Sequence, residues 1–248
     1  MPEVAPSTVV VPRSQTRARR LVRSVVYGVS FTAPVAVIGF LVRARWEPVL
    51  RFDEAAIREA TEFTRRRPGL ADALIVWQEI TQPKWVYLVG TLVCLVLWRR
   101  HGLTARALWA WVTMMVAWNI ALDLKYLFQR ARPVVEDALV YAPGSSFPSG
   151  HAANSAAASA VLVLLLWPVL SRRGRAVAVG LAVALTIVTA LNRVFLGVHY
   201  PSDVVGGVIL GIALPMASYA GWRPHLPEGW TQRWGSRDSV NGAPELEA

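Results

Sequence analysis

Long apolar runs separated by short polar, arginine-bearing gaps dominate the sequence. The first run spans Val22 to Val42, about 21 residues; at ~1.5 Å per residue such a helix covers roughly 30 Å, the depth of a bilayer core. Further apolar runs follow at Trp85–Trp98, Leu103–Leu122, Ala152–Leu170, Ala176–Leu191 and Val204–Ala220. The pattern predicts an all-α fold, a six-span transmembrane helical bundle over residues 21–222. Pro34 is a candidate kink in the first span. The small residues from Ala152 to Ala160, and Gly206, Gly207 and Gly211, suit close helix packing. Residues 43–84 form a long mixed-charge connection. Within it Phe52, Ala56, Ala60 and Phe63 fall near helical spacing, which predicts an amphipathic helix lying on the membrane surface or an ordinary solvated helix. Leu70–Ile80 is apolar but short and holds Gln78 and Glu79, so it does not read as a span. Residues 1–20 read as a disordered basic tail, residues 223–248 as a polar tail, and no internal repeat is visible.

Composition sharpens this picture. Hydrophobic residues make up 54% and charged residues 17%, a greasy, charge-poor balance that fits an integral membrane protein. The net charge of +10 raises nucleic acid as a partner, but the arginines are scattered through tails and short loops rather than set along a basic helix. Nucleic-acid binding is therefore set aside. The single Cys94 lies in an apolar run and supports neither an internal disulfide nor a cysteine metal site. The apolar stretch after the basic start is too long for a signal-peptide core and lacks a small-residue cleavage pattern, so it is expected to remain as a span.

The short loops set an orientation. Arg13, Arg17, Arg19, Arg20 and Arg23 flank span one, Arg99, Arg100 and Arg106 lie between spans two and three, and Arg172, Arg173 and Arg175 between four and five. Six spans put all three groups on one side, the cytoplasm, with both termini there. The loops Asp123–Gly150 and Asn192–Asp203 then face outward from a plasma membrane.

Those two outward loops hold the polar groups that look out of place. Ser149 is a good N-cap and Gly150 lets backbone approach a ligand, so a helix beginning there aims free N–H groups and its positive dipole end at one point, a ready anion site. Lys125, Arg132 and Arg193 run against the positive-inside bias, which suggests that a bound anion holds them there. Arg130 is the best candidate for the bland alternative, a cation snorkelling to headgroups. Phosphoryl transfer needs fixed cations and N–H donors for its spread negative charge. It also needs a nucleophile, a group to orient that nucleophile, and an acid for the leaving oxygen; His199, Asp203 and His151 are the types required. Pro201 favours a turn or helix start, which lets His199 and Asp203 meet. Glu136, Asp137 and Asp123 are too few and scattered for a metal cluster, so the reaction is expected to need neither metal nor cofactor.

The spacing of these residues resembles a known signature. Lys125, six residues, Arg132-Pro133; then Pro148-Ser149-Gly150-His151; then Arg193, five residues, His199, three residues, Asp203: this is similar to the three-part motif of the type 2 phosphatidic acid phosphatase superfamily. The likeness covers roughly Leu122 to Gly211. It implies a metal-independent hydrolase of phosphate monoesters and diphosphates, most often on lipids, acting through a phosphohistidine. By that resemblance His199 is the nucleophile, Asp203 its orienting partner and His151 the general acid, while Lys125, Arg132, Ser149, Gly150 and Arg193 bind phosphate. The family usually has serine before the third-motif arginine, where this chain has Asn192, which can still donate a hydrogen bond to phosphate. The expected substrate is undecaprenyl diphosphate or a phospholipid phosphate such as phosphatidate or phosphatidylglycerol phosphate, taken from the surrounding membrane lipids. Alternatives are a phosphotransferase or a non-lipid phosphatase of the same superfamily, a vanadium haloperoxidase, whose relatives are soluble, and a non-catalytic transporter.

Overall fold

A computed structural model describes residues 13–135 and 138–222. Eight helices follow in order: α1 (Arg13–Arg43), α2 (Glu47–Arg65), α3 (Pro68–Ile80), α4 (Pro83–His101), α5 (Thr104–Phe128), α6 (Gly150–Leu166), α7 (Arg172–Phe195) and α8 (Pro201–Trp222). Each of the six apolar runs falls on its own helix, α1 and α4 to α8. The helix starts are legible in local chemistry. Pro48, Pro68 and Pro83 sit in the first turns of α2, α3 and α4, where the missing N–H costs nothing. The Ser171 hydroxyl caps α7 by accepting from the Gly174 N–H at 3.1 Å. Gly102 ends α4 in the left-handed region, at φ 64°.

By length and apolarity α1 from Leu21, α5, α7 and α8 can each cross a membrane. The pair α3–α4 makes a fifth candidate, bent by 50° at its break. α6 has 17 residues, about 26 Å of helix, and stops at Leu166, so the fourth run is shorter than the expected Ala152–Leu170. The helix of the first run begins at Arg13, inside the segment expected to be a tail. Residues 1–12 and the expected tail at 223–248 lie outside the described residues.

α6 is the centre of the bundle. It packs against α4, α5, α7 and α8, and α1 lies along α8. The small residues make this closeness possible. A Cβ on Gly211 would lie 2.3 Å from the Ala153 carbonyl oxygen, and one on Gly207 2.7 Å from that of Ser149. Phe147, fully buried, fills the space beside Gly206 and meets Phe128 edge-on at 5.0 Å. Outward-facing Leu21, Val25, Phe40, Leu92, Leu108, Leu181 and Val183 remain exposed, as a lipid-facing belt requires.

Two features differ from the sequence reading. Arg106 is not a loop cation: it lies in the first turn of α5, buried, donating to the Tyr219 hydroxyl at 2.5 Å beside the Trp222 ring. The amphipathic helix α2 forms, but with a polar inner face. Asp53, Ile57, Thr61 and Thr64 are buried, whereas Phe52 and Phe63 point outward. That inner face rests on α7 and α8, and Thr64 donates to the Phe195 carbonyl at 2.9 Å.

Candidate functional site

The site forms where the end of α5, residues 129–135 and 138–149, the start of α6, the end of α7 and the start of α8 converge. Pro201 opens α8, so the backbone turns at Tyr200 and carries Asp203 back toward His199. The Asp203 N–H and the Val204 N–H both donate to the Tyr200 carbonyl, at 3.1 and 3.2 Å. The Ser149 N–H donates to the Asp203 carbonyl at 3.0 Å, tying the head of α6 to the first turn of α8.

His199 is buried, 2% exposed, and each ring nitrogen has its own partner. Nε2 lies 3.1 Å from Arg132 Nη1. A guanidinium can only donate, so Nε2 carries the lone pair and Nδ1 the proton. Nδ1 faces Asp203 Oδ2 at 3.6 Å and Ser146 Oγ at 3.4 Å. The Ser146 hydroxyl in turn donates to Asp203 Oδ2, and the Tyr200 N–H donates to the same oxygen at 2.9 Å. The orienting contact expected between His199 and Asp203 is thus shared with Ser146, a residue with no role assigned from sequence. Burial holds the imidazole down to about 3; Asp203 opposes this, and Arg132 and Lys125 add to it. The ring is therefore neutral, with its Nε2 lone pair available.

The cations gather around this ring. Arg132 donates to the carbonyls of Pro143, Gly144 and Val198 as well as reaching His199. Burial lowers its pKa from the ordinary value, and Asp203 acts against that. Lys125 Nζ donates to the Ser145 carbonyl at 2.8 Å, and a Cβ on Gly150 would sit 3.6 Å from Lys125 Cε. Arg193 is buried and donates from Nη1 to Gln78 Oε1 at 2.7 Å and to Asn192 Oδ1 at 3.2 Å.

Three buried polar atoms of this group have no partner within the protein: Ser149 Oγ, His151 Nε2 and Arg193 Nε. Ser149 occupies the N-cap position of α6, yet its hydroxyl makes no capping bond, contrary to the capping role read from sequence. Buried polar groups are nearly always satisfied, so unpaired ones beside a neutral nucleophile and three cations point to a ligand.

Two residues behave differently from their sequence assignment. Asn192 is committed to the protein: Nδ2 donates to the Leu74 carbonyl at 2.7 Å and Oδ1 accepts from Arg193. It positions Arg193 and ties α7 to α3. Arg130 is not a snorkelling cation. Its side chain is 8% exposed and bridges Asp203 Oδ1 at 2.6 Å and Asp53 Oδ2 at 2.8 Å. Although burial opposes its charge, these two carboxylates hold its pKa above the ordinary arginine value. Asp53 and Gln78, both from the connection 43–84, were not singled out; a charged or amide residue at a buried helical position is the only signal that marks them. Glu136 and Asp137 lie outside the described residues.

A family model described as the PAP2 superfamily matches residues 106–225. The chain is similar to Phosphatidylglycerophosphatase B of Bacillus subtilis (strain 168), 37% identical over 94 residues, 37% of this chain and 45% of that protein. It is also similar to "Putative undecaprenyl-diphosphatase YbjG" of Escherichia coli (strain K12), 32% identical over 146 residues, 54% of this chain and 67% of that protein. The chain thus spans about half the length of the first relative and two thirds of the second. The crystal structure of the first transmembrane PAP2 type phosphatidylglycerolphosphate phosphatase from Bacillus subtilis shares the fold at 22% identity. Its TM-score is 0.72, over 81% of this chain and 98% of that one. Apolar helices of spanning length and this shared transmembrane fold make the chain a multi-pass membrane protein. With its motif residues drawn together at the head of α6, and with a relative matched over two thirds of its length, the chain belongs to the PAP2 superfamily.

Proposed function

We propose that this chain is a metal-independent lipid phosphatase that works through a phosphohistidine. The observation that carries the reading is the set of unpaired buried atoms, Ser149 Oγ, His151 Nε2 and Arg193 Nε, around a neutral His199 capped by Arg132. A phosphoryl group satisfies all of them at once. Its oxygens accept from Ser149, from Arg193 and from the first N–H groups of α6, while Lys125 and Arg132 balance its charge.

The reaction runs in two balanced steps. The His199 Nε2 lone pair forms the N–P bond as the ester or anhydride P–O bond breaks. The departing oxygen takes a proton from His151 Nε2. A water then attacks phosphorus and gives its proton to His151 as the N–P bond breaks. Free phosphate and both histidines are restored. Asp203, through Ser146, steadies the imidazole as it becomes cationic.

The proposed substrate is a lipid phosphate, undecaprenyl diphosphate or a phospholipid phosphate such as phosphatidylglycerol phosphate or phosphatidate. The names of the relatives, acting on a phosphatidylglycerophosphate and an undecaprenyl diphosphate, support this class. The outward Phe52 and Phe63 of α2 supply an apolar edge beside the site for lipid chains. In this reading the chain has six spans, with α4 and the short α6 completing the four long ones. Both termini are cytoplasmic and the site faces outside. Transfer of the phosphoryl group to an acceptor other than water would use the same residues. The test is a panel of these three lipid phosphates offered to the purified chain in detergent, with released phosphate counted. Release from at least one, lost in His199→Ala, is expected; no release from any overturns the reading.

A further inference from the structure

Asp53 lies on α2, within the connection to which the sequence reading assigned no chemistry. It is fully buried, and both oxygens of its carboxylate are engaged. Oδ1 accepts from the Ser202 N–H at 3.0 Å, and Oδ2 accepts from the Ser202 hydroxyl and from Arg130 Nη2 at 2.8 Å. Arg130 gives its other arm, Nη1, to Asp203 Oδ1 at 2.6 Å and to Ser202 Oγ at 2.7 Å.

An arginine fork usually grips one carboxylate with both arms. Here the fork is divided between two carboxylates. Were both arms free to turn to Asp203, one would engage Oδ2, the oxygen that serves Ser146, the Tyr200 N–H and His199. Asp53 holds one arm away, so Arg130 reaches only Oδ1. The charges also matter. Asp53 takes up part of the Arg130 charge, so less of it offsets Asp203, the carboxylate beside a ring that turns cationic on phosphorylation. A carboxylate needed only to lock α2 onto α8 would be satisfied by Ser202 alone.

We propose that Asp53 is a positioning residue for phosphoryl transfer, acting through Arg130 to fix the Asp203 carboxylate with Oδ2 turned toward Ser146 and His199. The inference rests on the reading of His199 as the nucleophile.

The experiment measures single-turnover rate constants with the full chain in detergent, in saturating excess over phosphate-labelled lipid. The lipid is whichever of undecaprenyl diphosphate, phosphatidylglycerol phosphate and phosphatidate the unmodified chain turns over fastest. The rate constant does not depend on how much of a preparation is folded as long as the folded fraction alone stays in saturating excess, which is checked by doubling the protein concentration and finding the same rate constant. Asp53→Asn is expected to lower the rate constant by about 10- to 100-fold, the scale of a misaligned catalytic group. Arg130→Lys, which keeps the charge but loses the fork, is expected to lose at least as much. Asp53→Asn added to Arg130→Lys is expected to cost nothing further. An unchanged rate constant in either single variant, or multiplied losses in the double, overturns the proposal. Inactivity of the unmodified chain on all three lipids overturns instead the reading of His199 on which it stands.

Discussion

Arg132 Nη1 lies 3.1 Å from Nε2 of His199, so the nitrogen proposed to attack phosphorus is covered by the guanidinium proposed to bind it. A phosphoryl group arriving at this spot takes over the guanidinium and frees the lone pair in the same motion. The same ring presents its N–H, on the opposite edge, toward Ser146 and Asp203.

The two histidines are expected to differ in the severity of their loss. His199→Ala should abolish release of phosphate, because it removes the nitrogen proposed to form the bond to phosphorus. His151→Ala should retain a remnant, slower by about 10²- to 10⁴-fold, as for a missing general acid. Steady-state assays on lipid phosphate in detergent check both. Full activity in His199→Ala would refute the assignment.

Exhaustive chelation is expected to leave activity unchanged, since Lys125, Arg132 and Arg193 supply the positive charge. The measurement is phosphate release before and after treatment with a chelator. Loss of activity, restored by added magnesium, would overturn the metal-free mechanism.

Burial of His199 makes stability depend on acidity. Its pKa is about 3 in the fold against 6.5 ordinarily, so on acidification the unfolded chain takes up the proton first. The neutral ring's contribution is complete above pH 6.5 and is lost as pH falls from there toward 3. The loss amounts to at most ~1.4 kcal/mol per pH unit for one proton. Melting midpoints in detergent should therefore fall more steeply with acid for the unmodified chain than for His199→Gln. Parallel slopes would contradict the account.

Gly211→Ala is expected to destabilise the bundle by about 1–3 kcal/mol, since its methyl would meet the Ala153 carbonyl oxygen at 2.3 Å and backbone cannot yield as a side chain can. Gly180→Ala serves as the control: a Cβ there meets nothing within 4 Å. Thermal melting in detergent compares them, and equal midpoints would count against the close crossing of α6 and α8.

The apolar runs and their helices were legible because spanning segments write their length directly into composition. The motif residues were legible because charge on the outward side stands out against a hydrophobic background. Lys125, Arg132, Arg193, His199 and Asp203 do converge. What the chain order hid was support from a distance. Arg130 looked like a headgroup cation until Asp53, 77 positions earlier, was found against it. Asn192 looked like a phosphate donor until Leu74 claimed its amide. Ser149 fits a cap by type, yet in the fold its hydroxyl stays unspent. Long-range polar pairing leaves no periodic trace in a sequence.

The contact of Gly207 and Gly211 with the backbone of α6 has a mechanical consequence. With no side chain as cushion, α6 and α8 cannot slide past each other without collision, so His151 and the His199–Asp203 pair ride on one rigid chassis. Accommodation of a bulky guest then falls to what surrounds that chassis, residues 129–135 and 138–149 and the helix α2 that rests on α7 and α8.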